Sequence, residues 1–250
     1  MLPLERQNKI LELLAAHQAL TVEELCGRLY SSGSTIRRDL QILEKNGMLT
    51  RTHGGAVLLE SSAKDSPAVL RESQNTAGKA RIADRARALV QDGDTLFLDS
   101  STTACQLAQR LTGFQHLRVI TNGLKTADIL AGISGVRVYG TGGRLRENAQ
   151  SFVGTQTVAF IAQFHADLAF FSCRGLHPDG GITDSNEEEA DVKKAYIRNA
   201  ARAVLLCDES KLGRQLFCRI GPLDCVWRVV CDVPLGAEYS SKSADSAPFL

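Results

Sequence analysis

No stretch of this chain strings together the roughly 18 uncharged apolar residues that a membrane-spanning helix needs. The opening MLPLERQNKILELL is broken by charge within its first turns, so it does not read as a secretory leader. Net charge is almost absent: 29 Lys and Arg against 28 Asp and Glu leave +1, which argues against a surface that coats a polyanion throughout. Paired cysteines are missing as well. The seven cysteines (26, 105, 173, 207, 218, 225 and 231) are odd in number, never spaced C-x-x-C, and mostly sit in apolar runs such as AVLLCD and CVWRVVCD. That argues against a disulfide framework and a zinc site, and for buried, reduced thiols in a cytoplasmic protein. No G-x-G-x-x-G follows a strand, and neither G-x-x-x-x-G-K-[ST] nor a G-x-S-x-G elbow occurs. The expectation is therefore no cofactor, no metal and no serine nucleophile.

What is present is ordinary globular composition, 44% hydrophobic and 23% charged over 250 residues, enough for one large domain and a small one. The slight positive excess is local. Residues 33–55 hold four basic and two acidic side chains plus His53, whereas from residue 56 onward the signs balance at 22 each.

That basic stretch closes a small module. LERQNKILELLAAH spaces Ile10, Leu13 and Leu14 as a helix does. After a break at HQAL, Thr21-Val22-Glu23-Glu24 has the form of a capping box opening a second helix through Leu29. Ser32 is placed to cap a third helix with Ile36, Leu40 and Leu43 on one face. At about 100° per residue, Ser34, Arg38, Gln41 and Lys45 lie opposite that stripe, with Arg37 at its flank. Asn46-Gly47 can end the helix, and MLTRTHGGAVLLE reads as two short strands about a Gly-Gly turn.

Two helices joined by a tight turn, the second with a polar outer face, have the geometry that enters a DNA major groove. Arg38 suits guanine and Gln41 suits adenine, while Ser34 and Thr35 begin the same face. Arg51, His53 and the free amides of Gly54 and Gly55 suit phosphate or the minor groove in a wing. A solvated Arg-Arg-Asp helix face is the ordinary alternative; the capped helix before it and the basic hairpin after it favour DNA.

STIRRDLQILEKNGMLTRTHGGA resembles the signature of the DeoR family of bacterial transcriptional regulators, which pairs T-I-R-R-D-L with a following R-x-H-G-G-A. The resemblance runs from about Arg6 to Asp232. It departs in one place, where Ser31 replaces the usual apolar residue and Gly33 enters the first turn of the recognition helix. A glycine there costs about 1 kcal/mol, so a less rigid helix is expected.

Beyond residue 57 the pattern changes. Residues 58–74, LLESSAKDSPAVLRESQ, lack sustained periodicity and read as a linker. Residues 75–234 then alternate strands (LFLD, LRVIT, VRVYG, DLAFFS, AVLLCD, CVWRVVCD) with helices, which implies a mostly parallel sheet covered on both faces. Residues 235–250 read as a disordered polar tail. The fold class expected is α/β: an N-terminal winged helix-turn-helix over residues 1–57, then a larger Rossmann-like domain.

Ligands of such sheets bind beyond the carboxyl ends of the strands. There the sequence places Asp99, Ser101, Thr102 and Thr103, then Thr121 and Asn122, then Gly142, Gly143 and Arg144, then Asp208 and Lys211. The hydroxyl-rich turn DSSTT before a helix suits a phosphate, although simple capping would explain it equally. Arg144 or Lys211 would supply positive charge. Glu189 and Lys193 are spaced i,i+4, which alone means no more than a surface ion pair. The DeoR resemblance implies instead that they lie beside a sugar-phosphate pocket in a domain similar in fold to ribose-5-phosphate isomerase. Where such isomerases carry a D-G-A-D-E-type stretch, DLAFFSCRGL retains only Asp167, so the pocket reads as kept and the chemistry as lost.

The reading is a cytoplasmic repressor of a sugar-metabolism operon. Its expected partners are double-stranded operator DNA, a phosphorylated sugar that relieves repression, and further copies of itself in a homodimer or larger assembly. The competing reading is a sugar-phosphate isomerase or deaminase fused to a DNA-binding module. A DNA-binding protein that answers to no ligand is the third.

Overall fold

The computed structural model describes residues 2–45, 48–57 and 68–240. The chain divides into two compact units, Met1–Gln74 and Asn75–Leu250.

In the first unit, α1 (Pro3–His17), α2 (Val22–Leu29) and α3 (Gly33–Lys45) enclose a core of Ile10, Leu11, Leu14, Leu25, Ile36 and Leu40 with their neighbours. The capping box is present: the Thr21 hydroxyl accepts from the Glu24 amide at 3.1 Å, and the Glu24 carboxylate accepts from the Thr21 amide at 2.8 Å. Ser32 begins α3, its hydroxyl accepting from the Thr35 amide at 3.3 Å. The wing has three strands, β1 (Ala19–Thr21), β2 (Thr50–Thr52) and β3 (Gly55–Val57), antiparallel in the order β1-β3-β2. Sequence had suggested only the β2–β3 hairpin. The presumed break at HQAL is β1, because Leu20 pairs with Ala56 and buries its side chain in the helical core. Asn46-Gly47 and residues 58–67 of the expected linker lie outside the described residues. Ala68–Ser73, within that expected linker, form a short helix, α4, lying against α1.

The second unit is built on six parallel strands: β4 (Thr95–Leu98), β5 (Leu117–Thr121), β6 (Val136–Gly140), β9 (Ala166–Ser172), β12 (Ala200–Cys207) and β14 (Arg228–Cys231). They run in the order β14-β12-β9-β4-β5-β6. Alternation along each strand feeds two cores. Leu96, Leu98, Leu168, Phe170, Val204 and Leu206 face a core shared with α5 (Thr76–Arg87), α6 (Thr102–Ala108) and α7 (Leu124–Ala131). Phe97, Ile120 and Ala169 face the other side, with α8 (Thr155–Ile161) and α9 (Glu187–Arg198).

Two antiparallel pieces were not foreseen. One is the hairpin β7 (Arg144–Arg146) with β8 (Ser151–Val153), and the other is the sheet β10 (Gly175–His177), β11 (Gly181–Asp184) and β13 (Cys218–Gly221). Within the expected tail, Ala237–Ser240 form α10, and the Tyr239 hydroxyl accepts from the Gly213 amide at 3.0 Å.

Candidate functional site

In the first unit, α3 turns its apolar residues inward and leaves Ser34, Arg37, Arg38 and Gln41 exposed, with Thr35 half-buried. Asp39, their neighbour, is buried: its carboxylate accepts from Arg6 Nε at 2.5 Å and Gln7 Nε2 at 3.0 Å. Arg37 lies back along its own helix, and a Cβ at Gly33 would sit 3.2 Å from its Nη1. A side chain at Gly33 would therefore press on this arginine.

The wing is docked onto α3 through Glu44, which accepts from the Arg51 amide at 2.9 Å and from Arg51 Nε at 2.7 Å. These two bonds, backbone first, hold the Glu44 carboxyl below its ordinary range. A cleft of about 430 Å³ opens between helix and wing, lined by Arg37, Glu44, Arg51 and His53 among others. The expectation of free glycine amides does not hold. The Gly54 amide donates to the Thr52 carbonyl at 2.7 Å. Gly55 is buried in the central strand, where a Cβ would run into the Leu20 carbonyl. Its role is close strand packing.

In the second unit the carboxyl ends of β4, β5 and β9 gather a buried polar cluster. Asp99, after β4, accepts from the Ser101 and Ser172 amides, both at 3.0 Å. Burial pushes its carboxyl up, against the pull of Lys193. Lys193 donates to Asp184 rather than pairing with Glu189. Burial works against the Lys193 ammonium, but Asp184, Asp99 and Glu189 outweigh it and hold the group above its ordinary range. Asp184, pushed up by burial, ends below its usual range because Lys193 outweighs that cost. Glu189 is buried and accepts from Arg146 Nη1 at 2.9 Å and from the Ser151 hydroxyl.

The remaining expected residues divide. Ser101 caps α6, accepting from the Ala104 amide at 3.1 Å, and Thr102 and Thr103 follow, their side-chain hydroxyls without a hydrogen-bond partner among the described residues. Thr121 and Asn122 are consumed internally. The Thr121 hydroxyl accepts from the Gly123 amide at 3.0 Å. Asn122 accepts from the Tyr196 hydroxyl at 3.1 Å and donates to the Phe152 carbonyl at 3.0 Å. Gly142 and Gly143, with φ of +64° and +111°, turn the chain from β6 into β7. Arg144 is exposed and paired with Glu188 on α9. Asp208 caps its own turn, accepting from the Ser210 amide at 3.1 Å, and Lys211 stays beside it at 3.7 Å.

Four residues of this cluster escaped the sequence reading: Arg146, Ser151, Asp184 and Tyr196. Arg146, Ser151 and Asp184 lie on short antiparallel strands and not at the ends of the parallel ones. Tyr196 follows Glu189 and Lys193 along one face of α9, and that periodicity was the available signal.

Comparison with known proteins joins the two units. Residues 6–62 match the DeoR-like helix-turn-helix domain, and residues 74–233 match the DeoR C-terminal sensor domain. The HTH-type transcriptional regulator GolR of Listeria innocua is 41% identical over 85% of this chain and 84% of its own length. The glycerol-3-phosphate regulon repressor of Escherichia coli is 34% identical over 92% of this chain and 91% of its own. A solved ribose 5-phosphate isomerase A from Methanocaldococcus jannaschii is 18% identical, with a TM-score of 0.40 over 56% of this chain and 55% of that one. The isomerase-fusion reading gives way to the regulators, which match both units together. The chain belongs to the DeoR family of transcriptional regulators, with a helix-turn-helix domain followed by a sensor domain.

Proposed function

We propose that this regulator represses a sugar-metabolism operon and releases its operator when a phosphorylated sugar occupies the second unit. The observation that carries the proposal is the cluster of buried Asp99, Lys193, Asp184 and Glu189 with Arg146, at the strand end that leads into Thr102 and Thr103. Burying charges costs stability, and perturbed buried ionisable groups cluster at functional sites. Thr102 and Thr103, whose hydroxyls have no hydrogen-bond partner among the described residues, offer those hydroxyls to a phosphate. Arg146 replaces Arg144 as the expected cation, because it is the one that reaches the cluster. When the phosphate takes Arg146, Glu189 keeps Ser151 and turns its freed lone pairs to the sugar hydroxyls, with Asp99 beside it.

Operator recognition falls to α3 and the wing, with Arg38 and Gln41 on base edges and Arg37, Arg51 and His53 on phosphates. Glu44 takes Arg51 Nε and leaves its Nη groups for the backbone of the DNA. One winged helix with so little excess charge binds weakly, so at least a homodimer is proposed, reading a repeated site. Among the described residues no helix is long and apolar enough to cross a membrane, and the proposed setting is the cytoplasm.

Thermal unfolding of the full chain with a panel of phosphorylated sugars tests the ligand. A true effector at a hundred times its Kd adds about 2.7 kcal/mol of stability, and its unphosphorylated parent adds little. Equal shifts from both would remove the phosphate from the proposal.

A further inference from the structure

Two residues of the turn between α2 and α3 stand where local backbone preference would not put them. Tyr30 closes α2 in the left-handed conformation, φ 49° and ψ 45°, a geometry that favours glycine or asparagine. Gly33, three residues on, is helical and needs no special backbone freedom.

Gly33 sits close to Arg37, whose guanidinium Nη1 would lie 3.2 Å from a Cβ placed there, a tight contact. Tyr30 has no such neighbour among the described residues. Its backbone is fixed by the closure of α2, where the Cys26 carbonyl accepts from the Tyr30 amide and from the Ser31 amide at 3.3 Å. Its side chain is 96% exposed and, among the described residues, packs on nothing that would repay the strain. A bulky residue held in this region is a backbone outlier from which a role can be inferred. Tyr30 lies two residues before Ser32, whose hydroxyl bonds those of Ser34 and Thr35 at the start of the helix proposed to enter the groove.

We propose that Tyr30 is a DNA-contacting residue whose phenol hydroxyl donates to a backbone phosphate at the edge of the groove that α3 reads. This rests on the reading of α3 as the recognition helix. The turn leads directly into the first turn of α3, the end of a recognition helix that lies nearest the bases. A phenol there reaches outward as a neutral donor, in a stretch where more positive charge would strengthen binding to every sequence alike.

The test uses the full chain and a duplex that the wild type has selected from a random-sequence pool, with a scrambled duplex beside it. Tyr30→Phe should bind both duplexes about threefold to tenfold more weakly, as the loss of one hydrogen bond predicts, with their ratio unchanged. Tyr30→Gly should bind at least as weakly as Tyr30→Phe, yet raise the melting temperature of the first unit, since it relieves the strain. A merely structural residue would not separate affinity from stability in that way. Tyr30→Phe binding like the wild type while Arg38→Ala binds weakly overturns the tyrosine contact alone. A fall in the selected-to-scrambled ratio overturns the phosphate as its target. Should Arg38→Ala also bind like the wild type, the recognition helix itself is misassigned and the proposal falls with it.

Discussion

Asp39 of α3 reaches inward to Arg6 of α1, its carboxylate accepting from the guanidinium Nε at 2.5 Å. The run Arg37-Arg38-Asp39 is therefore not one solvated face. Its two arginines are exposed and its aspartate ties α3 to α1 from the interior.

Replacing Asp39 by Ala leaves Arg6 and Gln7 without that acceptor and should cost roughly 1–3 kcal/mol in the first unit. Urea unfolding of the full chain, followed through a probe in this unit, reads the loss. Stability unchanged within about 0.5 kcal/mol would show that the buried contact contributes nothing net.

The exposed arginines should separate by what they touch. Arg38→Ala should cost roughly 1–3 kcal/mol and relax sequence preference at one position. Arg51→Ala should weaken every duplex alike and lower the salt slope by about one unit. Binding titrations across a salt series distinguish the two, and identical behaviour of the two variants would contradict the division into base and phosphate contacts.

Acid should act on the second unit through Asp184. Its carboxyl sits below the unfolded value of 3.8, so its contribution is present above that pH and is lost as pH falls through the lower folded value. Lys193, held above 10.5, contributes below that pH and loses its contribution only as pH rises through the higher folded value. Asp99, pushed up, acts in the opposite direction to Asp184. Asp184→Asn should cost up to about 3–5 kcal/mol at neutral pH, because it leaves the Lys193 charge buried with less compensation. The gap from wild type should narrow as pH drops below 3.8. Urea melts across that range would contradict the assignment if the gap stayed constant.

Much of this architecture is legible in the sequence because it is locally encoded. The capping box at Thr21 and Glu24 needs only four residues, and LRVIT and VRVYG match β5 and β6 residue for residue. What is hidden depends on distant partners. β1 has three residues and exists because Gly55–Val57 pair with it. The hairpin carrying Arg146 and Ser151 is equally short, so periodicity has nothing to detect. The spacing of Glu189 and Lys193 pointed to the right helix but suggested the wrong pairing. Once buried, each is satisfied by a residue from another element, Lys193 by Asp184 and Glu189 by Arg146 and Ser151. Asn122 sits at a strand end as expected, but Tyr196 and Phe152 claim its amide, a fact of tertiary packing.

Release of DNA by a phosphorylated sugar acting through Arg146 is the central claim. The direct measurement is an operator titration of wild type, Arg146→Met and Arg144→Met, with and without each member of a panel of phosphorylated sugars and their unphosphorylated parents. At least one phosphorylated sugar should weaken wild-type binding by about 5- to 150-fold, a coupling of 1–3 kcal/mol. The parent sugar should leave binding unchanged. Arg144→Met should respond like the wild type, and Arg146→Met should bind the operator normally but no longer let go. Release that survives intact in Arg146→Met, or a wild type that answers to no phosphorylated sugar, would contradict the account.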